Sequence, residues 1–196
     1  MQDPIPVEDY KEVANDIKKL KADLRKIGKR LPPELLAFYG EILVCIKLAE
    51  EVGKKYYIKH KGGQSKYDIE IISKTDPKVK KRIEVKTSAF KEEYCGFGFG
   101  WALAKKKCTK HNKEDFCYFD FLTLVGIDEN GEERFFVFRR KEVINAPSGR
   151  TKRFKKPCKR IVIPLKNINY KKIKRWDLNL TKNLDRYENN WDKIES

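Results

Sequence analysis

The chain has 196 residues, 40% of them hydrophobic and 12% aromatic, which is enough for one folded domain and excludes a disordered polymer. No apolar run approaches the roughly 20 residues of a membrane-spanning helix, and the N-terminal residues lack the apolar core of a signal peptide. We therefore expect a cytoplasmic protein without a membrane partner. The net charge of +16 favours nucleic acid as a partner over an anionic membrane surface or a merely Lys-rich exterior.

The chain contains five cysteines, an odd number at irregular spacing, which indicates reduced thiols. Three cysteines and one histidine are candidate zinc ligands, although their spacing matches no familiar zinc pattern. These are Cys95, Cys108, His111 and Cys117. The sequence by itself therefore does not predict a zinc site.

Two helices are predicted in the first quarter of the chain. Over residues 8–30, apolar residues recur at alternating gaps of three and four, the spacing of a helical seam. The seam consists of Tyr10, Val13, Ile17, Leu20, Leu24, Ile27 and Leu31. This helix either packs on its own domain or forms a dimer contact. Pro32 and Pro33 end it and begin a second helix over residues 33–52, which is apolar nearly all round and should be buried.

Glu41 is the exception in that second helix, because its neighbours are apolar. A carboxylate in such a place is costly unless a cation waits for it. The alternative is a Glu at the helix edge that reaches a Lys side chain. We treat Glu41 as a candidate site residue.

The middle of the chain alternates between strands and turns. Strands are predicted at residues 54–61, 67–73, 82–88, 118–127 and 133–139, with a hairpin turn at 128–131. The glycine-rich residues 96–100 are predicted as a flexible loop, followed by a short helix from Trp101 to about Thr109. His60 lies on the first strand and is expected to be structural. Asp120 is likewise expected to be structural, and the alternative is that it reaches a site next to the core.

The last third of the chain is basic. Residues 150–160 hold seven Lys and Arg in eleven positions without an apolar period, which is typical of a mobile loop. An edge strand at 160–165 and a helix near 181–194 are predicted beyond it. The basic residues here and in an earlier Lys run are candidate phosphate contacts, unless they are merely solvated. They are Lys105, Lys106, Lys107, Arg150, Lys152, Arg153, Lys155 and Lys156.

One group of residues indicates chemistry. Glu84 and Lys86 are two residues apart on a strand and share one face, whereas Ile83 and Val85 occupy the other. Asp68 begins the preceding strand. Two or three carboxylates can hold one or two Mg²⁺ ions, which activate water and neutralise charge on a phosphate. A nearby Lys can orient that water or stabilise the transition state.

The order of these motifs resembles the PD-(D/E)XK nuclease superfamily over about residues 33–140. Glu41 stands in a helix, Asp68 at a strand start and Glu84-Val85-Lys86 on the next strand, although Tyr67 replaces the Pro of many members. The resemblance implies an α/β fold of the restriction endonuclease-like type, with a mixed central sheet flanked by helices and the site at one sheet end. We expect one nuclease domain over residues 1–196, with the N-terminal helix in front and a basic, partly helical extension at 141–196.

The same resemblance implies roles for the site residues. Asp68 and Glu84 would be the main ligands of Mg²⁺, for which Mn²⁺ would substitute, and the carbonyl of Val85 would join them. Lys86 would serve the attacking water, and Glu41 would be an auxiliary ligand.

Residues 63–68 followed by 83–86 are also similar to archaeal Holliday junction resolvases. Gln64 and Ser65 stand there where some relatives place polar active-site residues.

These features predict a Mg²⁺-dependent endonuclease acting on double-stranded or branched DNA. A restriction-type enzyme is favoured, because the additional elements suit base reading in a groove. A junction resolvase or repair nuclease is the first alternative, and a DNA-binding module without catalysis is the second. A homodimer is expected, since cutting both strands of a symmetric site requires two active sites related by a two-fold axis.

Overall fold

The computed structural model describes residues 6–26, 28–62, 65–91, 96–102, 118–144, 148–149, 158–164 and 186–195. The described helices are α1 (Val7–Lys26), α2 (Pro33–Glu51), α3 (Arg140–Ile144) and α4 (Asp192–Glu195). The described strands are β1 (Tyr56–His60), β2 (Ile69–Ser73), β3 (Lys80–Ala89), β4 (Gly96–Ala102), β5 (Phe121–Ile127), β6 (Glu133–Arg139), β7 (Ser148–Gly149) and β8 (Cys158–Pro164). None of the described helices is long and apolar enough to cross a membrane.

A five-stranded mixed sheet in the order β1-β2-β3-β5-β6 forms the centre of the fold. Only β3 and β5 pair in parallel, and the other neighbouring strands of this sheet are antiparallel. Ile83, in the middle strand β3, lies opposite Ile69 of β2 and Phe121 of β5. The predicted fold class, a mixed α/β sheet with flanking helices, is confirmed.

Helix α2 covers one face of this sheet, and α1 packs on α2. Ile83 and Val85 of β3 are buried on this face with the apolar side of α2. A Cβ atom at Gly40 would lie 1.8 Å from Thr87 Oγ1, so the helix and the strand approach each other more closely than a side chain would allow. Gly40 therefore brings the middle of α2, including Glu41, directly onto β3.

Helix α1 buries part of its apolar seam within the chain. Tyr10 and Ile17 are buried, whereas Leu20 is 43% exposed. Packing on its own domain, one of the two interpretations of the seam, is what the structure shows. Ile27 lies outside the described residues, and the predicted dimer stays a prediction.

A small three-stranded sheet in the order β4-β8-β7 packs on the opposite face. Phe97 and Phe99 of β4 are fully buried there with apolar residues of β5 and β6. A Cβ atom at Gly126 of β5 would lie 2.3 Å from the Phe97 ring, so the ring rests directly on the backbone. Ser88 of β3 accepts a hydrogen bond from the backbone N–H of Gly98 at 3.3 Å, which joins the two sheets.

Several sequence predictions in these parts of the chain are wrong. Residues 96–100 form a strand and not a flexible loop, because alternate phenylalanines fill the core and the glycines permit close packing. Trp101 belongs to that strand, so no helix begins there; residues 103–109 are outside the described part. Strand β8 lies in the middle of its sheet and not at an edge. Asp68 precedes β2, since that strand starts at Ile69.

The C-terminal helix is much shorter than predicted. Residues 186–190 form turns, and Glu188 makes a bridge to Phe136 of β6. Among the described residues of this segment, 186–195, the helix comprises Asp192–Glu195, and residues 181–185 are not described. Trp191 packs against Phe135, with ring centroids 5.8 Å apart, and so belongs to the core. The segment is fixed by contacts with β6, which a helical period in the sequence does not reveal.

Candidate active site

The candidate site lies where β2 separates from β3. The last backbone contact between them is a hydrogen bond from Asp68 N to the Ile83 carbonyl, 3.1 Å long. One step further, the Val85 N–H donates to Asp68 Oδ2 at 2.7 Å. The Asp68 carboxylate thus accepts the hydrogen bond that a backbone carbonyl would accept if β2 were longer. As a result, the backbone of Val85 faces the site.

Lys86 joins the oxygen atoms of this site. Its Nζ lies 2.5 Å from Glu84 Oε1 and 3.9 Å from Asp68 Oδ2. It also donates a hydrogen bond of 2.8 Å to the Val85 carbonyl. Three oxygen atoms therefore lie around one positive charge. Two of them belong to β3, and the third belongs to Asp68, before β2.

The site is partly buried and short of positive charge. The side chains of Asp68 and Glu84 are 21% and 18% exposed, and that of Lys86 is 28% exposed. Burial raises the pKa of Asp68 above its usual range, while the Lys86 charge opposes that rise. Burial likewise raises the pKa of Glu84, with Lys86 opposing it and the Asp68 charge adding to it. One ammonium does not fully compensate two carboxylates here, so a further cation would be stabilised.

Glu41 approaches the same carboxylates from helix α2. Its negative charge contributes to the raised pKa of both Asp68 and Glu84. Its own side chain is 19% exposed, and its Oε2 lies 2.6 Å from His60 Nε2. The polar partner of this Glu is therefore a histidine ring, and not a lysine reached at the helix edge.

The sequence alone predicts a structural role for His60. It is the last residue of β1, on the same side as the buried Tyr56 and Ile58, and its side chain is 13% exposed. Its ring lies edge-on to Phe38 with centroids 5.9 Å apart. The signal in the sequence was the two-residue period of β1, which places an ionisable ring among core residues facing α2.

The donor set suits a hard divalent cation. Carboxylate and carbonyl oxygens are the ligands that Mg²⁺ prefers, and it usually keeps several waters. Asp68, Glu84 and the Val85 carbonyl offer such oxygens at one point, where Lys86 already binds them. Among the described residues, no three or more His, Cys, Asp or Glu side chains are grouped as a metal cage.

Other candidate residues have different positions. Asp120 Oδ2 accepts a hydrogen bond of 2.8 Å from the backbone N–H of Arg82, which agrees with the structural role favoured for it. Ser65 Oγ accepts from the Tyr67 N–H at 3.5 Å, in the turn before Asp68. Cys45 is buried in the core as a free thiol.

The remaining candidates lie outside the described residues. They are Gln64, Cys95, Lys105, Lys106, Lys107, Cys108, His111, Cys117, Arg150, Lys152, Arg153, Lys155 and Lys156.

No family model and no curated protein matches the chain. Among solved structures, the chain is similar to that of a bacterial homing endonuclease, I-Ssp6803I, with 16% sequence identity and a TM-score of 0.49. The likeness covers 83% of this chain and 91% of that chain.

Proposed function

We propose that the chain is a DNA endonuclease that hydrolyses phosphodiester bonds with Mg²⁺, or with Mn²⁺ in its place. The observation that carries this proposal is the convergence of Glu84 Oε1, the Val85 carbonyl and Asp68 Oδ2 on the Lys86 ammonium. Two partly buried carboxylates share a single lysine in a chain of net charge +16, so they form a local negative site in a protein that is positive as a whole. Such a site favours a cation, and the surrounding charge favours a polyanion.

Each residue has a role in this proposal. The ion is held by Asp68, Glu84 and the Val85 carbonyl. Glu41, on α2, is an auxiliary ligand. When bound, Mg²⁺ supplies charge neutralisation at the phosphate and lowers the pKa of a water molecule. Lys86 contacts three oxygens, so it can exchange one of them for the attacking water or a phosphate oxygen.

We further propose that the enzyme is of the restriction type and acts as a homodimer on double-stranded DNA. The chain carries α1 and the small sheet in addition to the central sheet and α2. Such additions provide surfaces for reading base edges in a groove. A junction resolvase, a repair nuclease and a DNA-binding module without catalysis are the competing outcomes of the test below.

The test is incubation of supercoiled plasmid with the protein in Mg²⁺, and in EDTA as the negative control. We expect cleavage only with the metal. Discrete bands support the restriction-type enzyme, whereas cutting confined to four-way junctions supports a resolvase. DNA binding without cutting of any substrate contradicts the enzymatic proposal and leaves the binding module.

Matched variants separate the site from general effects on the fold. Asp68→Asn and Glu84→Gln should each lower the cleavage rate by at least about a hundredfold, because a ligand of the ion is lost. Asp16→Asn and Glu51→Gln remove the same charges from exposed helical positions and should cleave normally. Rates within tenfold of the unmodified protein for the first pair would refute the ligand assignment.

A further inference from the structure

An exposed basic and aromatic surface borders the carboxylate cluster. Arg82 stands two residues before Glu84 on β3, on the same side of the sheet and about 7 Å along the strand. Lys66 and Tyr67 immediately precede Asp68, and Tyr118 stands beside Lys66. We call Lys66, Tyr67, Arg82 and Tyr118 the basic-aromatic surface.

The two cations of this surface lie over aromatic rings. Lys66 Nζ is 4.4 Å from the centroid of Tyr118, and the guanidinium carbon of Arg82 is 5.8 Å from the centroid of Tyr67. Tyr118 is 43% exposed, and both cationic residues are exposed. A ring face restrains the long side chain while its charge stays in contact with solvent.

The neighbouring carboxylates have other partners. Glu70 accepts a hydrogen bond of 2.8 Å from the Tyr67 hydroxyl and lies 3.9 Å from Lys61 Nζ. Asp120 is bound to the backbone of Arg82, not to its guanidinium. Within the described part of the chain, Lys66 and Arg82 form no ion pair with a carboxylate. Two ordered positive charges thus remain available to an external anion.

We propose that the basic-aromatic surface binds the phosphodiester backbone of DNA directly beside the carboxylate cluster, with Lys66 and Arg82 as the phosphate contacts. The proposal rests on the proposed nuclease function and adds the position of the DNA strand. Arg82 shares a strand and a face with Glu84, so a phosphate at Arg82 adjoins the one at the cluster. These contacts touch phosphates and not bases, so they position the strand and carry no sequence information.

The test measures binding of a fluorescent duplex by anisotropy at several salt concentrations in EDTA, where no cleavage interferes. Log affinity falls as log salt concentration rises, and each phosphate contact contributes roughly 0.9 to the steepness of that fall. Lys66→Gln combined with Arg82→Gln should therefore make the fall shallower by about 1.8. Lys19→Gln combined with Arg25→Gln removes one Lys and one Arg from the exposed side of α1 and should leave the slope unchanged. Arg82→Lys keeps the positive charge and should retain most of the salt dependence of the unmodified protein.

The outcomes separate this proposal from the one on which it rests. If both double variants show the slope of the unmodified protein, the surface does not touch the backbone, while cleavage of plasmid by that protein still supports the nuclease. If the unmodified protein binds no DNA in EDTA, the surface proposal is overturned, and cleavage in Mg²⁺ again decides on the nuclease. Equal loss of slope in both double variants would indicate diffuse charge and would also overturn it.

Tyr118 has its own control. Tyr118→Phe keeps the ring under Lys66 and should bind DNA with unchanged affinity and slope. Tyr118→Leu removes the ring and should weaken binding severalfold, because Lys66 loses its restraint. Unchanged affinity for Tyr118→Leu would remove Tyr118 from the surface.

Discussion

His60 Nε2 lies 2.6 Å from Glu41 Oε2, although β1 and α2 contribute the two residues from different layers of the fold. Both side chains are largely buried, and the ring is also held edge-on by Phe38. A carboxylate with one oxygen bound in this way has a fixed orientation. His60 is therefore a positioning residue for Glu41 in the proposed site.

Replacing His60 should disturb Glu41 without removing a ligand of the ion. We expect His60→Ala to lower the cleavage rate about tenfold at limiting Mg²⁺, since the loss of a hydrogen bond to a charged group amounts to about 1.5 kcal/mol or more. His60→Gln retains a donor of similar reach and should recover part of the rate. The positioning role is tested by measuring cleavage against Mg²⁺ concentration, with thermal melting as the control for folding. Equal rates for both variants at limiting Mg²⁺ would exclude the positioning role.

The stability of the metal-free protein should depend on pH through the carboxylate cluster. Burial raises the pKa of Asp68 and Glu84 above their ordinary values of 3.8 and 4.5, so the folded chain binds more protons than the unfolded chain just above that range. Their contribution is fully favourable below that range and is lost as the pH rises through the raised values. Glu84→Gln should flatten this fall, as measured by melting in EDTA from about pH 4 to pH 8. The Glu51→Gln control should follow the unmodified protein, and identical pH profiles for all three would contradict the assignment.

Mg²⁺ should reverse this loss at neutral pH, because a bound cation favours the charged carboxylates and stabilises the folded state. We expect a higher melting temperature in Mg²⁺ for the unmodified protein and for Glu51→Gln. Glu84→Gln should show little change. The measurement needs no DNA and no catalysis, so it tests the ion site separately from the enzymatic activity.

Gly40 should not tolerate a side chain. Gly40→Ala would place a methyl group 1.8 Å from Thr87 Oγ1, and overpacking of this kind costs about 1–3 kcal/mol. Because α2 must move away from β3, Glu41 moves with it and cleavage should fall. Adding Thr87→Ala removes the clashing oxygen and should restore part of both properties. Urea unfolding and plasmid cleavage provide the two measurements. A fully stable Gly40→Ala protein would show that α2 and β3 leave room for a methyl group at this point.

The predicted homodimer requires a surface that the chain itself leaves uncovered. Tyr10 and Ile17 are buried within the chain, but Leu20 is 43% exposed. If α1 forms the interface, Leu20→Lys should shift sedimentation velocity at micromolar concentration from dimer to monomer. A dimer that survives this change has its interface elsewhere. A monomer that persists with DNA and Mg²⁺ would argue against the restriction-type enzyme.

The central elements were predictable because their sequence periods are strong. Glu84 and Lys86 alternate with Ile83 and Val85, and the structure places the two pairs on opposite faces of β3 as predicted. The β5–β6 hairpin was predicted well because Gly131, with φ of +92°, ends a turn that Asp128 stabilises through its side chain. In both places, local residues determine local structure.

The parts that failed depend on distant partners. Phe97 and Phe99 form a strand because β8, some sixty residues later, pairs with them. His60 contacts Glu41 because α2 packs on the sheet, where Gly40 lies against Thr87 of β3. A single sequence does not reveal which distant segments meet, so the small sheet and the histidine partner were missed.

In the proposed nuclease, the Phe97 ring that lies directly on Gly126 limits how far the small sheet can move beside bound DNA. The small sheet stands on the same side of the central sheet as Glu84 and Lys86, and it is joined there both by this ring and by the Ser88–Gly98 hydrogen bond. A small sheet held by these two contacts resists displacement away from the central sheet. If DNA binds beside this sheet, as the proposed function requires, adjustment of groove width falls on the duplex, and we expect base steps that kink or unwind easily to be favoured even where no side chain touches them.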